Sequence, residues 1–254
     1  MHLQLGALND AAEIFRRLAA NRESPLADDA RLALVITYLN QKEEAKAREV
    51  LDAISKEQPG RPVAARAAYY EALLALGQDD VEAAKRFCNG LIAKAPSTDE
   101  AFEARLLLAD LQAKEQSPKA AIASLRRLYG EERVSLSRRA KVAKRIGDLL
   151  REQTKYPDAI RWYGEALELL PAMAGEAVYR IASCYEEAGD LEVAVTWYQK
   201  IEQAPWQVRG QLAAAKLLER LDRPAQARAI YEKLAKDPIP EAKLIRERLS
   251  SGIR

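Results

Sequence analysis

One histidine, two cysteines and many scattered carboxylates are the residues through which this chain could do chemistry. The histidine, His2, stands beside Met1. A Ser-His-Asp triad, a His-ligated zinc site and a histidine general base therefore all lack their central part. Cys88 and Cys184 lie far apart and form no C-x-x-C pair. That argues against a disulfide framework and against a thiolate metal site. Both fall among apolar helix positions and read as small buried hydrophobes rather than reactive thiols. Neither Gly-x-x-x-x-Gly-Lys-Ser/Thr nor Gly-x-Gly-x-x-Gly occurs, so no phosphate-cradling loop is present. Glu186-Glu187 and Asp79-Asp80 are adjacent carboxylates, and neighbours one apart on a helix point in different directions. The chain reads as non-catalytic, with no metal and no cofactor.

Charge is the other feature with chemical content. The whole chain carries a net charge of only +2, which gives little support to a nucleic-acid or membrane-surface role. Between Glu131 and Arg151, however, Arg133, Arg138, Arg139, Lys141, Lys144, Arg145 and Arg151 face only Glu131, Glu132 and Asp148. Lys141, Lys144/Arg145, Asp148 and Arg151 recur every three to four residues and share one helix face. Ile146, Leu149 and Leu150 mark the opposite, buried face. The functional reading is a site for an acidic peptide or a chain-terminal carboxylate. A helix face kept solvated is the plainer reading of the same pattern, and the one the sequence favours. A nucleic-acid patch ranks lower, because no aromatic residues interleave with the cations for base stacking.

The elements that would position these residues are helices in a repeat. The 254 residues are 31% charged and 48% hydrophobic, an ordinary globular balance. No apolar run approaches the roughly 18 residues of a membrane span. An alanine, a bulky residue four on and an apolar residue seven on recur along the chain. The alanines are Ala11, Ala47, Ala84, Ala121, Ala159, Ala194 and Ala227, spaced by 33 to 38 residues. Phe15, Leu51, Cys88, Leu125, Tyr163, Tyr198 and Tyr231 follow them. Leu18, Ile54, Leu91, Leu128, Ala166, Ile201 and Leu234 complete the set. These offsets lie on one face of an α-helix, and a small residue followed by a large one lets a neighbouring helix approach and interlock. Another helix precedes each alanine, as in residues 177–185 and 144–150. Turn signals separate the two, among them Gly77 to Asp80, Ser117-Pro118, Tyr156-Pro157, Gly189-Asp190 and Arg223-Pro224. Pro59, Pro96, Pro171, Pro205 and Pro238 close repeats.

This pattern resembles the tetratricopeptide repeat family, best over YRIASCYEEAGDLEVAVTWYQKIEQAP at 179–205 and nearly as well from Gly147 to Pro171. The resemblance implies an all-α fold: an α-solenoid of antiparallel helix pairs, about seven repeats wound as a right-handed superhelix in a single domain. The boundaries read as a truncated first repeat at 1–27, then repeats at 28–61, 65–98, 102–135, 140–174, 175–207 and 208–239. A charged amphipathic cap follows at 240–254. Val35 stands where a small residue is usual, and the first helix around Glu71 has no clear register.

By the same resemblance, first helices line a concave groove, and the groove between Lys141 and Arg220 is the partner site. Its residues are Lys141, Lys144, Arg145, Asp148, Arg151, Tyr179, Glu186 and Arg220. The family's carboxylate clamp needs Asn where Asp148 stands, which argues against a chaperone-tail clamp. Trp162 and Trp197, each before the bulky Tyr of its repeat, are turned about 100° off the core stripe. They could form an aromatic ladder on the outer face, although packing beneath the adjacent repeat is the favoured reading. Trp206 is expected to plug the junction after Pro205.

The function this implies is a protein- or peptide-binding scaffold or assembly module. A nucleic-acid-binding repeat using residues 133–151 and a regulatory subunit of an enzyme complex are the alternatives. The first 20 residues lack an early basic region, and Asn9, Asp10 and Glu13 interrupt any apolar core, so they do not read as a signal peptide. Residues 8–20 read as a second helix, with residues 1–5 as the last turn of a first helix. The sequence is accordingly expected to be cut within a repeat of a longer cytoplasmic or cell-envelope protein, with self-association possible through its apolar N-terminal end.

Overall fold

The computed structural model describes residues 2–21, 23–57, 60–115 and 117–250. It divides into two compact units, Met1–Ser117 and Pro118–Arg254, between the two helices of the repeat expected at 102–135. The first unit holds α1 (His2–Ala20), α2 (Ala27–Gln41), α3 (Glu44–Lys56), α4 (Arg61–Gly77), α5 (Val81–Lys94) and α6 (Asp99–Lys114). The second holds α7 (Pro118–Gly130), α8 (Leu136–Glu152), α9 (Tyr156–Leu169), α10 (Ala174–Ala188), α11 (Leu191–Gln199), α12 (Trp206–Arg220), α13 (Pro224–Leu234) and α14 (Ala242–Ser250). A 3-10 turn, Pro171–Met173, precedes α10. No strand occurs among the described residues. Pro59 and residues 251–254 of the expected cap lie outside the description.

The helix pairs are made by one recurring turn. At Lys42, Asp79, Thr154, Gly189 and Asp222 the backbone turns left-handed, with φ between 56° and 94°. The next amide then reaches back to close the helix end. Glu43 N donates to Tyr38 O at 2.9 Å, and Asp80 N to Ala75 O at 2.9 Å. Lys155 N donates to Leu150 O, Asp190 N to Tyr185 O and Arg223 N to Leu218 O in the same way. This six-to-one bond satisfies carbonyls that the helix leaves free, and glycine adopts the required φ without penalty. Asp80 then caps α5 by accepting from Ala83 N at 2.8 Å. Pro157 and Pro224 sit in the first turns of α9 and α13, where a missing N–H costs nothing.

Within each unit, consecutive helices pack as neighbours, and first helices pack on first helices: α2 on α4, α4 on α6, α10 on α12. The small–large stripe holds them. Ala47, Ala84, Ala121, Ala159, Ala194 and Ala227 are all fully buried, and so are Tyr163, Tyr198 and Tyr231. Burying one such large apolar side chain is worth about 1.5–3 kcal/mol. Gly147 shows how close the approach is: a Cβ there would lie 2.7 Å from Tyr163 Cε1.

The N-terminal register differs from the sequence reading. Residues 2–20 form one unbroken helix, so residues 2–5 are not the end of a separate first helix; residue 1 lies outside the described residues. Ala12 rather than Ala11 is buried, and Leu18 and Ile14 are exposed. The stripe shifts because α1 packs chiefly against α2, whereas α3, α5, α9, α11 and α13 each pack against helices on two sides. Around Glu71 the helix is α4, and Glu71 is buried with its carboxylate 2.9 Å from Arg48 of α3. At the other end α14 packs Ile245 into the core and leaves Leu244 exposed. No helix of the described residues is long and apolar enough to cross a membrane.

Candidate functional site

Helix α8 carries the centre of the basic stretch. Ser135 caps it by accepting from Arg138 N at 3.4 Å, and Ala143, Ile146, Leu149 and Leu150 fix its buried face. The opposite face turns Lys144, Arg145, Asp148 and Arg151 toward the next first helix, α10, and that helix answers with acids. Lys144 Nζ lies 3.0 Å from Glu176 and 3.7 Å from Asp148. Arg151 Nε meets both carboxylate oxygens of Glu187 at 3.0 Å. That bidentate bond holds the Arg151 guanidinium proton more firmly than usual. Arg180 of α10 reaches back to Asp148 at 3.9 Å and to Glu176 at 3.6 Å, while Arg145 sits 3.6 Å from Glu152.

Asp148 and Glu186 are also tied to the core behind them. Tyr163 donates to Asp148 at 2.8 Å, and Tyr198 donates to Glu186 at 2.8 Å. Burial, reinforced by these carboxylates, pushes both phenols well above their ordinary range. Glu186 in turn meets Arg220 of α12 at 3.4 Å, and Glu219 of α12 meets Arg248 of α14 at 2.5 Å. The result is a row of opposite charges running from first helix to first helix.

Between α8 and α10 the row opens into a cavity of about 360 Å³, lined by Arg145, Asp148, Arg151, Glu152, Arg180 and Glu187. Three cations there balance three anions. Arg180 Nε is buried in it without a hydrogen bond.

The structure therefore brings together Lys144, Arg145, Asp148 and Arg151, and links Glu186 with Arg220. Lys141 is exposed on the same helix. Tyr179 belongs to a different group: its ring lies 5.1 Å from Tyr198 and 5.2 Å from Trp206, which packs over Gly175. Sequence reasoning missed Glu176, Arg180, Glu187, Glu219 and Arg248. The signal was available, since each pairs with an opposite charge about one repeat away.

The two tryptophans are half-buried and do not form a ladder. Trp162 meets Tyr129 edge-on at 5.3 Å, with Arg126 5.7 Å from its ring. Tyr129 is bonded to Glu165, and burial with that bond pushes its phenol up to about 12. Trp197 instead stacks on Tyr185 at 6.3 Å, under Lys200. Cys88 and Cys184 are fully buried, and burial pushes their thiols up to about 11 and about 12. They stay protonated and unreactive at neutral pH. Among the described residues, no cluster of three His, Cys, Asp or Glu is placed to hold a metal.

Helix pairs with left-handed turns, an alanine–aromatic stripe and charged first helices define a tetratricopeptide-type repeat array. A family model described as a tetratricopeptide repeat-like domain matches residues 7–180, and a tetratricopeptide repeat model matches residues 176–205. The chain belongs to the tetratricopeptide repeat family.

No curated protein matches the sequence. Among solved structures, Pseudomonas aeruginosa pilF is 14% identical, with a TM-score of 0.57 over 87% of this chain and 96% of its own. PilW, described as a type IV pilus biogenesis factor, is 14% identical, with a TM-score of 0.58 over 87% and 99%. The C-terminal part of a repeat protein from Cytophaga hutchinsonii is 14% identical, with a TM-score of 0.59 over 96% and 97%. At these identities the likeness is one of fold.

Proposed function

We propose that the chain is a non-catalytic protein-interaction scaffold, with its main partner site on the charged face of α8, α10 and α12. The observation that carries this is the cavity at Arg145, Asp148, Arg151, Glu152, Arg180 and Glu187, where Arg180 Nε lies without a hydrogen bond. Arg180 Nε faces Asp148 at 3.9 Å without a hydrogen bond, so the charges lining the cavity are not fully satisfied among themselves, and the cavity leaves room for a partner's polar side chains beside them.

The pairing of the cations refines the kind of partner. A purely acidic peptide would have to displace Glu176 and Glu187 from Lys144 and Arg151. A segment of mixed charge need not: it offers a carboxylate to Arg145 and Arg180 and a cation to Glu152 and Glu187. Such complementarity fixes register and rejects wrong partners more than it raises affinity. The type IV pilus factor PilW and pilF share the fold. PilW, described as a type IV pilus biogenesis factor, makes an assembly process of that kind one setting in which to look for the partner.

The test is affinity capture with the full chain, identification of bound proteins by mass spectrometry, and titration of the best candidate against Lys144→Glu/Arg145→Glu. Each exposed contact is worth about 0.2–1 kcal/mol, so the double variant should weaken binding several-fold. Unchanged binding removes this face from consideration. A logarithmic loss of affinity with salt, with nucleic acid as the captured ligand, would favour the nucleic-acid reading instead.

A further inference from the structure

The first unit has a groove of different character. Helices α4 and α5 leave an open space of about 620 Å³ between them. Buried Ala65 and Leu91 form its floor, and Ala64, Ala68 and Gly90 form its walls beside Phe87. Arg86 and Lys94 stand at its rim, exposed.

Two features of the groove bear on what it could hold. The first is Gly90. It stands six residues after the repeat's signature alanine, where the other repeats have Arg17, Ala53, Arg127, Glu165, Lys200 and Lys233. A helix-interior glycine costs about 0.8–1 kcal/mol relative to alanine. Close packing does not account for it, because a Cβ at Gly90 would meet nothing within 4 Å. The glycine keeps a wall low over an apolar floor. The second feature is charge. Arg86 and Lys94 of the second helix α5 make no ion pair among the described residues, whereas Lys85 beside them is paired with Glu82 and Glu115. Eight residues apart on one helix, they stand about 12 Å from each other along its axis. An apolar trough between two free cations at that spacing complements a helix with carboxylates two turns apart and aliphatic side chains between them.

We propose that this groove docks an acidic amphipathic helix of a partner protein, with its apolar side chains over Gly90 and its carboxylates on Arg86 and Lys94. The site is separate from the charged face of the second unit and does not depend on it.

The probe is a fluorescein-labelled helical peptide of about 16 residues, long enough to hold helical structure. It carries Glu at i and i+7 and Leu at i+3 and i+4, and a control peptide has Lys in place of both Glu. Fluorescence anisotropy with the full chain should show saturable binding of the Glu peptide and about tenfold weaker binding of the Lys peptide. Gly90→Leu, which fills the trough from a position with free space, should weaken the Glu peptide about tenfold, while Gly90→Ala should retain most of the affinity. Arg86→Glu/Lys94→Glu should reverse the preference between the two peptides. Lys144→Glu/Arg145→Glu should leave it untouched, which separates this site from the other. Circular dichroism melts establish that each variant is folded. Equal binding of both peptides, or full binding by folded Gly90→Leu, overturns the proposal. So does a groove that takes a fatty acid but not the peptide, or one closed by a second copy of the chain in sedimentation.

Discussion

The Tyr163 hydroxyl donates to Asp148 at 2.8 Å, and the same carboxylate lies 3.7 Å from Lys144 and 3.9 Å from Arg180. One buried phenol thus fixes an acid that orders two cations on the candidate binding face. Tyr163→Phe keeps the ring in the core and removes only the donor. Urea denaturation should show a loss of about 0.5–1.5 kcal/mol, the net value of one hydrogen bond. The variant should also weaken partner binding, because Asp148 loses its anchor. A variant as stable as the parent would mean that the bond contributes nothing.

High pH should unfold this protein from a known starting point. In the unfolded chain Cys88 and Cys184 ionise near 9.0, and Tyr163 and Tyr198 near 10.0. In the folded chain burial raises all four, Cys88 to about 11 and Cys184 to about 12. Above ~pH 9 the unfolded state therefore holds fewer protons than the folded state, and stability falls as pH rises. The contribution is complete below the unfolded values and is lost as pH climbs through the folded ones. Urea midpoints should hold from ~pH 8 to ~pH 9 and then drop, less steeply in Tyr163→Phe/Tyr198→Phe. Phenolate absorbance should rise together with unfolding; if it rises in the native state first, the burial argument fails.

Ala194 is fully buried in α11, in one core cluster with Ala182, Ala215 and Leu218. Ala194→Leu adds volume where no space exists and should cost about 1–3 kcal/mol. A lower melting temperature than the parent's is the expected result, and an unchanged one would mean that the chain yields at this contact.

Much of this architecture was legible because the packing stripe is periodic in sequence. Ala84, Ala159 and Ala194 announce themselves, as do Tyr163 and Tyr198, and each is buried where its offset placed it. The turns were only partly legible. Gly189 signals a left-handed residue, but Lys42, Thr154 and Asp222 adopt the same conformation with no glycine to mark it. There the six-to-one hydrogen bond and the packed helix pair outweigh intrinsic preference. The candidate binding face was read as an excess of positive charge because its acids lie elsewhere in sequence. Glu176 and Glu187 sit one repeat downstream of Lys144 and Arg151, and only stacking brings them within 3.0 Å. The tryptophans pack against neighbouring aromatics, the reading the sequence favoured over a ladder, but their particular partners were not legible. Equivalent places in two repeats gave Trp162 and Trp197 unlike neighbours, Tyr129 on the preceding second helix and Tyr185 on the same repeat's first helix.

The same substitution on two adjacent helices should act with opposite signs. Gly147 in α8 and Gly164 in α9 are both helix-interior glycines, and alanine at either gains intrinsic helix stability of about 0.8–1 kcal/mol. At Gly164 a Cβ would meet nothing within 4 Å, so the gain should be realised in full. At Gly147 the Cβ would lie 2.7 Å from Tyr163 Cε1 and 2.8 Å from its Cδ1. Tyr163 cannot swing clear. It is fully buried, and its hydroxyl is held by Asp148. Relief must come from separating α8 and α9, which loosens the stripe and draws the phenol away from the carboxylate. Overpacking of this kind costs about 1–3 kcal/mol and outweighs the propensity gain. Melting temperatures should therefore rank Gly164→Ala above the parent and Gly147→Ala below it. In the combined variant Gly147→Ala/Tyr163→Leu, the narrower side chain should return part of the loss caused by the clash, measured against Tyr163→Leu alone. If Gly147→Ala melts at or above the parent temperature, the close approach of α8 to α9 is wrong.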